Sequence, residues 1–397
     1  PTSVDLTDGA ERRRVLHALQ ELSRSLSAAS GGDSTDSDAA LMAVLRRYGH
    51  DEGTYAKSQL LGAYRELVAS GEMPSDPVLE RHLRSRPVRT VSGVAPVAVL
   101  TEPFPCPGEC IFCPDQTGAP KSYLDGEPGV LRALQNNYDP YLQTSTRIQA
   151  LDAIGHATDK VELLILGGTW SAYPEAYRSH FLLRCFDALN ERDSDTLQQA
   201  LDQNSSAPHR NVGLVVETRP DCITPEELLR LRQQGVTKVQ LGVQSLDDRI
   251  LDLNRRGHTV ADTRRAIGLL RLAGFKIVLH WMPNLYGATP DSDYADFARI
   301  FDDPAIRPDE MKIYPTALLR DTDLYTLWEQ GTHQPYEEAD LVDLLIRCKQ
   351  RTEPYCRINR VMRDIPAGYI VAGTTKSNLR QIVQRRMDDM GATCSCI

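Results

Sequence analysis

The spacing of apolar residues changes character near residue 94. Before that point they recur with a helical period: Val15, Leu16, Leu19, Leu22 and Leu26 share one face over residues 11–29. Two further amphipathic stretches follow at about 38–48 and 54–70. The run Gly31-Gly32-Asp33-Ser34-Thr35-Asp36-Ser37 reads as a linker with helix-capping character. Residues 1–90 are therefore expected to form a small helical domain.

From residue 94 onward, short apolar runs alternate with helical stretches. Strands are expected at 94–101, 161–166, 212–217, 239–244, 276–280 and 310–314. Helical stretches separate them, for example at 225–234 and 261–273. Buried, β-branched strands alternating with helices imply a parallel sheet. Six such units over residues 91–330 predict an α/β fold, a partial (β/α)6 barrel with its site at the C-terminal ends of the strands. After residue 335 the pattern is again helical, at 336–352 and 375–390, so 331–397 reads as a helical extension.

Composition narrows the class. With 41% hydrophobic and 25% charged residues the 397-residue chain resembles an ordinary soluble protein. No apolar run approaches the ~20 residues of a membrane span, so no membrane partner is expected. Nine cysteines without a disulfide-like spacing suit a reducing, cytoplasmic setting. The net charge of −9 taken as a sum argues against nucleic acid, but its distribution is uneven. Arg81, Arg84, Arg86 and Arg89 form one basic run; Arg347 to Arg363 carries another, and Lys376, Arg380, Arg385 and Arg386 form a third. Each alone reads as a solvated helix face; together they suit a polyanion groove.

Three cysteines lie within eight residues at Cys106, Cys110 and Cys113, a C-x₃-C-x₂-C spacing. Four thiolates would close a metal site. Three can hold a 4Fe-4S cluster and leave one iron open to chelate S-adenosylmethionine (SAM). A zinc site would pair C-x₂-C with a second ligand pair, and none follows soon after Cys113. The strand ends then supply candidate ligand contacts. Gly167, Gly168 and Thr169 allow close backbone approach, as a tight structural turn also would. Glu217 and Arg219 could grip the amino and carboxylate groups of SAM, although an ordinary salt bridge would use the same pair. Gln244 and Ser245 offer polar groups suited to a ribose or carboxylate. His280, which ends the fifth strand, and Lys312 and Tyr314, which end the sixth facing the proposed centre, are the candidate catalytic residues; a lone His is also commonly structural.

The cysteine loop, Leu166-Gly167-Gly168-Thr169, Glu217-Thr218-Arg219-Pro220-Asp221, Gly242-Val243-Gln244-Ser245, Arg256-Gly257-His258-Thr259, His280-Trp281-Met282-Pro283, Lys312-Ile313-Tyr314-Pro315-Thr316 and Arg363-Asp364-Ile365-Pro366 together resemble the catalytic subunit of Elongator. The resemblance runs from about residue 55 to the last residue. It implies a radical-SAM tRNA-modifying enzyme that installs a carboxymethyl group on the wobble uridine, with acetyl-CoA as co-substrate. It also implies a following acetyltransferase-like domain, which would begin where this sequence stops. Lys160 matches a lysine that contacts acetyl-CoA in that family; by itself it reads as a solvated lysine preceding a strand. Cys394 and Cys396 match the start of a zinc-binding cysteine cluster, and two ordinary cysteines are the alternative. The helical domain and the run Arg81 to Arg89, with Arg385 and Arg386, are implied to contact tRNA through its anticodon loop. Elongator-type subunits or a homodimer are further implied partners. A radical-SAM oxidase of the porphyrin-pathway type, or an RNA-binding scaffold without radical turnover, are the competing readings.

Overall fold

The computed structural model describes residues 4–28, 34–48 and 54–396. These fall into two compact units, Pro1–Val97 with Ser145–Val161 and Ala98–Thr144 with Glu162–Ile397.

The first unit contains helices Gly9–Ala28, Ser34–Arg47, Lys57–Ala69 and Pro77–Leu83. Their apolar faces form one cluster in which Val15, Leu19, Leu22, Leu60, Leu61 and Leu67 are fully buried. Asp76 caps the fourth helix, its carboxylate accepting from the backbone N–H of Val78 and Leu79 at 2.9 and 3.1 Å. Gly31 to Asp33 of the expected linker lie outside the described residues. Ser34 to Ser37, also assigned to that linker, instead open the second helix. Ser, Thr and Asp favour a helix N-terminus as readily as a loop, so composition could not separate the two.

The sheet takes its strands in chain order: β1 (Ala95–Leu100), β2 (Lys160–Leu166), β3 (Arg210–Thr218), β4 (Lys238–Gln244), β5 (Lys276–Trp281), β6 (Glu310–Ile313) and a last strand at Arg357–Arg360. Each successive pair from β3 to the last strand is parallel. Consecutive parallel strands joined by helices are the winding of a partial barrel. The architecture is the expected one with seven strands where six were expected. The additional strand lies between the two helices expected in the C-terminal extension, in a stretch for which no strand was expected. Arg357-Ile358-Asn359-Arg360 has one apolar residue in four, so it carries no strand signal of its own. It forms because Arg357 and Ile358 find the open edge of β6, opposite Glu310 and Met311.

Three helices that follow β3, β4 and β5 start in the same way. Thr224, Thr259 and Thr289 cap helices Pro225–Gln233, Val260–Leu272 and Pro290–Asp302, each hydroxyl accepting from a backbone N–H at 3.2 Å. The stretch between strand end and cap is thereby free to carry functional side chains.

Helix Pro290–Asp302 holds a buried carboxyl at Asp293, which accepts from the Asn284 backbone N–H at 2.7 Å and the Tyr336 hydroxyl at 2.8 Å. Burial pushes its pKa up to about 7. The unfolded chain releases this proton near pH 4, so between about pH 4 and 7 the folded state binds more protons. Through this group stability falls as pH rises across that window and is flat above it. Asp293→Asn is expected to remove that slope, read as the difference between the pH profiles of the thermal midpoints of variant and parent. Parallel profiles would show that Asp293 ionises normally.

Candidate active site

The register of the sheet collects polar side chains on one face. Glu217 pairs with Gln240 across β3 and β4, Gln240 with Val278 across β4 and β5, and His280 with Lys312 across β5 and β6. Side chains alternate along a strand, so Glu217, Gln240, His280 and Lys312 all project to the same side. Their contacts bear this out. Lys312 Nζ lies 3.3 Å from Glu217 Oε1 and donates to Gln240 Oε1. His280 Nε2 lies 2.8 Å from the same Gln240 oxygen and 3.8 Å from Glu217. Because that oxygen can only accept, Nε2 carries the proton. Tyr123 donates its hydroxyl to Glu217 Oε2 at 2.9 Å. The Tyr314 ring stands edge-on to His280 with centroids 5.6 Å apart, and Lys312 Nζ is 5.9 Å from its centre. Burial, reinforced by the Lys312 cation, holds the His280 pKa well below the ordinary imidazole value, so the ring is neutral.

A second cluster forms beside the cysteine loop. Arg219 pairs with Asp221 (Nε to Oδ1, 2.9 Å) and donates from Nη2 to the Arg256 carbonyl at 2.8 Å. Arg256 in turn donates from Nη1 to Cys110 Sγ at 3.3 Å and from Nη2 to the Gly242 carbonyl. Cys106 Sγ lies 3.4 Å from Thr169 Oγ1, and Cys113 Sγ faces the Pro114 carbonyl at 3.7 Å. Glu217 and Arg219, expected to act as one grip, thus stand in different clusters.

The middle of the cysteine loop is pinned by backbone hydrogen bonds. The Ile111 N–H donates to the Asn254 carbonyl at 3.3 Å, and its carbonyl accepts from the Leu324 N–H at 2.9 Å. Asn254 is itself locked, exchanging side-chain bonds with the Tyr286 backbone at 2.9 and 3.1 Å. The Ile111 side chain is buried with Leu318 and Leu324. Gly167 and Gly168 take φ values of 132° and 103°. A Cβ at Gly167 would stand 1.9 Å from Thr101 Oγ1, so glycine is required there to let the two chain segments touch.

Several buried polar atoms in this region have no partner among the described residues: Arg219 Nη1, Arg256 Nε, Gln244 Oε1 and both ring nitrogens of His258. Burying such groups unpaired is costly, and their concentration around one loop fits a site built to receive a polar ligand. Gln244 also holds a left-handed backbone, φ 71°, at a bulge in β4. The Ser245 hydroxyl is already engaged, donating to Asp296 at 3.2 Å. Burial and then the Arg256 and Arg219 cations depress the His258 pKa to about 3.

The remaining expected residues lie elsewhere. Lys160 is exposed and opens β2, at the end of that strand away from Gly167. Arg81 and Arg86 are exposed, while Arg84 and Arg89 are half-buried. Arg385 and Arg386 are exposed on helix Leu379–Asp389. Cys394 and Cys396 are half-buried with their sulfurs 2.9 Å apart. Sequence reading missed Tyr123, Gln240 and Glu127, gave no role to Arg256, and assigned Arg363 only to a basic run. Arg363 donates to the Ser122 carbonyl at 2.6 Å and to Glu127 at 2.7 Å, with its guanidinium 5.1 Å from the Tyr123 ring centre. Only the motifs containing Arg256 and Arg363 offered a signal; Tyr123 and Glu127 sit in loop or helix-start sequence without periodicity.

The donor set fits an iron–sulfur cluster: three free thiols in one short loop, with guanidinium groups directed at it. Among the described residues no three His, Cys, Asp or Glu side chains close around a single ion. Comparison with known proteins agrees with the cluster reading. Residues 105–298 match the radical SAM superfamily, and 308–389 match the radical SAM C-terminal domain. The chain is 42% identical over 356 residues to the tRNA uridine(34) acetyltransferase of Methanocaldococcus infernus, covering 86% of this chain and 67% of that protein. The chain belongs to the Elongator protein 3 family of radical SAM proteins. It is also 38% identical to Elongator complex protein 3 of Homo sapiens over 340 residues, covering 83% of this chain and 62% of that protein. A solved structure of the archaeal Methanocaldococcus infernus Elp3 with an N-terminal deletion aligns with a TM-score of 0.68 at 40% identity, over 77% of this chain and 65% of that one. The chain thus spans about two thirds of the length of these relatives. Membership in the radical SAM superfamily implies a 4Fe-4S cluster and SAM as cofactors. No helix among the described residues is long and apolar enough to cross a membrane.

Asn254→Ala removes the two bonds to Tyr286 and a third to the Ile250 carbonyl (2.8 Å) that hold the support of the cysteine loop. It is expected to lower stability by about 1–3 kcal/mol and reduce iron held per chain after reconstitution. Unchanged iron content and thermal midpoint would show that the loop does not depend on this support.

Proposed function

We propose that this chain is the radical-SAM core of an enzyme that forms 5-carboxymethyluridine at the wobble position of tRNA from acetyl-CoA. The observation that carries the reading is the three-cysteine loop pinned at the strand ends, beside a buried cluster of Glu217, Gln240, His280 and Lys312. The names of the relatives, tRNA uridine(34) acetyltransferase and Elongator complex protein 3, support the substrate.

Cys106, Cys110 and Cys113 would hold the cluster. The cluster and SAM supply one-electron chemistry able to abstract hydrogen from a methyl group when bound. Gly167, Gly168 and Thr169 would present backbone to SAM, and Arg219 would offer its free Nη1 to the carboxylate. Gln244 would accept from a ligand donor through its unpartnered Oε1, and Ser245, tied to Asp296, would fix the Gln244 backbone. Glu217 and Lys312 would orient the reacting groups and hold a proton between them, with neutral His280 and Tyr314 walling the space. Lys160 would contact acetyl-CoA. Arg81, Arg84, Arg86 and Arg89, together with Arg385 and Arg386, would engage tRNA phosphates, giving affinity without sequence readout. Residues 1–90 would form the RNA-binding part, 91–330 the barrel, and 331–397 the extension, with Cys394 and Cys396 beginning a zinc site. Partner subunits or a second copy would complete the assembly. Nine free cysteines suit a reducing compartment such as the cytoplasm.

Anaerobic reconstitution with iron and sulfide, followed by SAM and dithionite, tests the reading. Formation of 5′-deoxyadenosine is expected in the parent, stimulated by tRNA and absent in Cys110→Ala. A parent that holds no iron would overturn it. Gln244→Ala is expected to weaken SAM binding to the reconstituted protein about tenfold, the loss of one buried hydrogen bond. Calorimetric titration under anaerobic conditions measures this, and equal affinities would remove Gln244 from the site.

A further inference from the structure

The cysteine loop sits against an unusual concentration of positive charge. Arg256 reaches it from the segment after β4 and Arg219 from the end of β3, and the two are joined through the Arg256 carbonyl. Both are buried, with 6% and 3% of their surface exposed. Each is held on its far side: Arg219 by Asp221, and Arg256 by the Gly242 carbonyl. The group each directs at the loop is different. Arg256 Nη1 meets Cys110 Sγ at 3.3 Å. Arg219 Nη1 has no partner among the described residues and lies where a Cβ at Gly108 would be, 2.0 Å away, which explains the glycine between Cys106 and Cys110. Asp221 balances one of the two cations. Among the described residues Arg256 forms no ion pair with a carboxylate; its guanidinium donates to a carbonyl and a thiol.

A buried guanidinium without a counter-ion is expensive, and a thiolate is the anion nearest to it. We infer that Arg256 is a positioning residue for the cluster: it hydrogen-bonds the Cys110 thiolate, adds positive charge beside the cluster, and raises its reduction potential. This rests on the radical-SAM reading of the three thiols. The physical basis is that reduction adds negative charge to the cluster. A nearby cation and a hydrogen bond to a ligand sulfur both stabilise the reduced form more than the oxidised one. Arg256 is placed to do so because Gly242 leaves room for it. A Cβ at Gly242 would stand 2.7 Å from Arg256 Nη2, so the absence of a side chain in β4 lets the guanidinium lie against the strand.

The test is an electron paramagnetic resonance redox titration of the reconstituted protein, with iron and sulfide measured on the same samples. Arg256→Gln is expected to lower the midpoint potential, and Arg256→Lys, which keeps the charge but not the fork geometry, to lower it less. Gly242→Ala is expected to lower it as well, by pushing the guanidinium off its seat without removing the charge. A fully loaded Arg256→Gln protein with the parent potential overturns the inference. If Arg256→Gln holds no iron, Gly242→Ala carries the decision: a lowered potential supports the inference and an unchanged one overturns it. Failure of the parent itself to take up iron is a different result, and overturns the radical-SAM reading instead.

Discussion

The site depends on a few backbone hydrogen bonds in the middle of the cysteine loop. A loop of Cys, Pro and Gly has no element of its own to hold three thiols in place. Ile111 supplies the anchor, its N–H given to Asn254 and its carbonyl taken by Leu324. Those partners come from the segments after β4 and β6, and Asn254 is locked by the segment after β5. The loop is therefore fixed by segments that follow the strands carrying the polar site residues. Loosening that support would move thiols and site residues together.

Around this anchor the strand ends are divided between two tasks. Glu217, Gln240, His280 and Lys312 share one face of the sheet and use one another as partners. Arg219 and Arg256 turn to the cysteine loop. The division follows from where β3 stops: Glu217 is still in the strand, while Arg219 lies beyond its last residue, Thr218, and is free to swing away. The interior cluster is low in solvent, so each of its contacts is electrostatically strong, and a neutral His280 avoids a second buried cation beside Lys312.

The segment after residue 331 takes part in both. Its strand extends the sheet beyond β6, and Arg363 binds Ser122 and Glu127 just after the cysteine loop. Tyr369 and Pro366 crowd Gly126 on the same side. The motif Arg-Asp-Ile-Pro thus acts through contacts nearly 240 positions away in the chain.

Much of the fold was legible in the sequence. The six expected strands and the N-terminal helices announce themselves because burial imposes a period on apolar residues, and the thiol spacing announces the cluster because three soft ligands must converge within one short loop. Both are local constraints written in neighbouring residues. The last strand was not legible, since Arg-Ile-Asn-Arg forms a strand only where β6 offers an edge. Nor were Tyr123, Gln240 and the role of Arg256, whose partners lie dozens of positions or more along the chain and come together only through strand register and packing. The sequence by itself determined which residues are chemically able to serve. Tertiary structure decided which of them meet, because a hydrogen bond or ion pair depends on distance in space, and distance between remote positions is set only when the sheet closes its register.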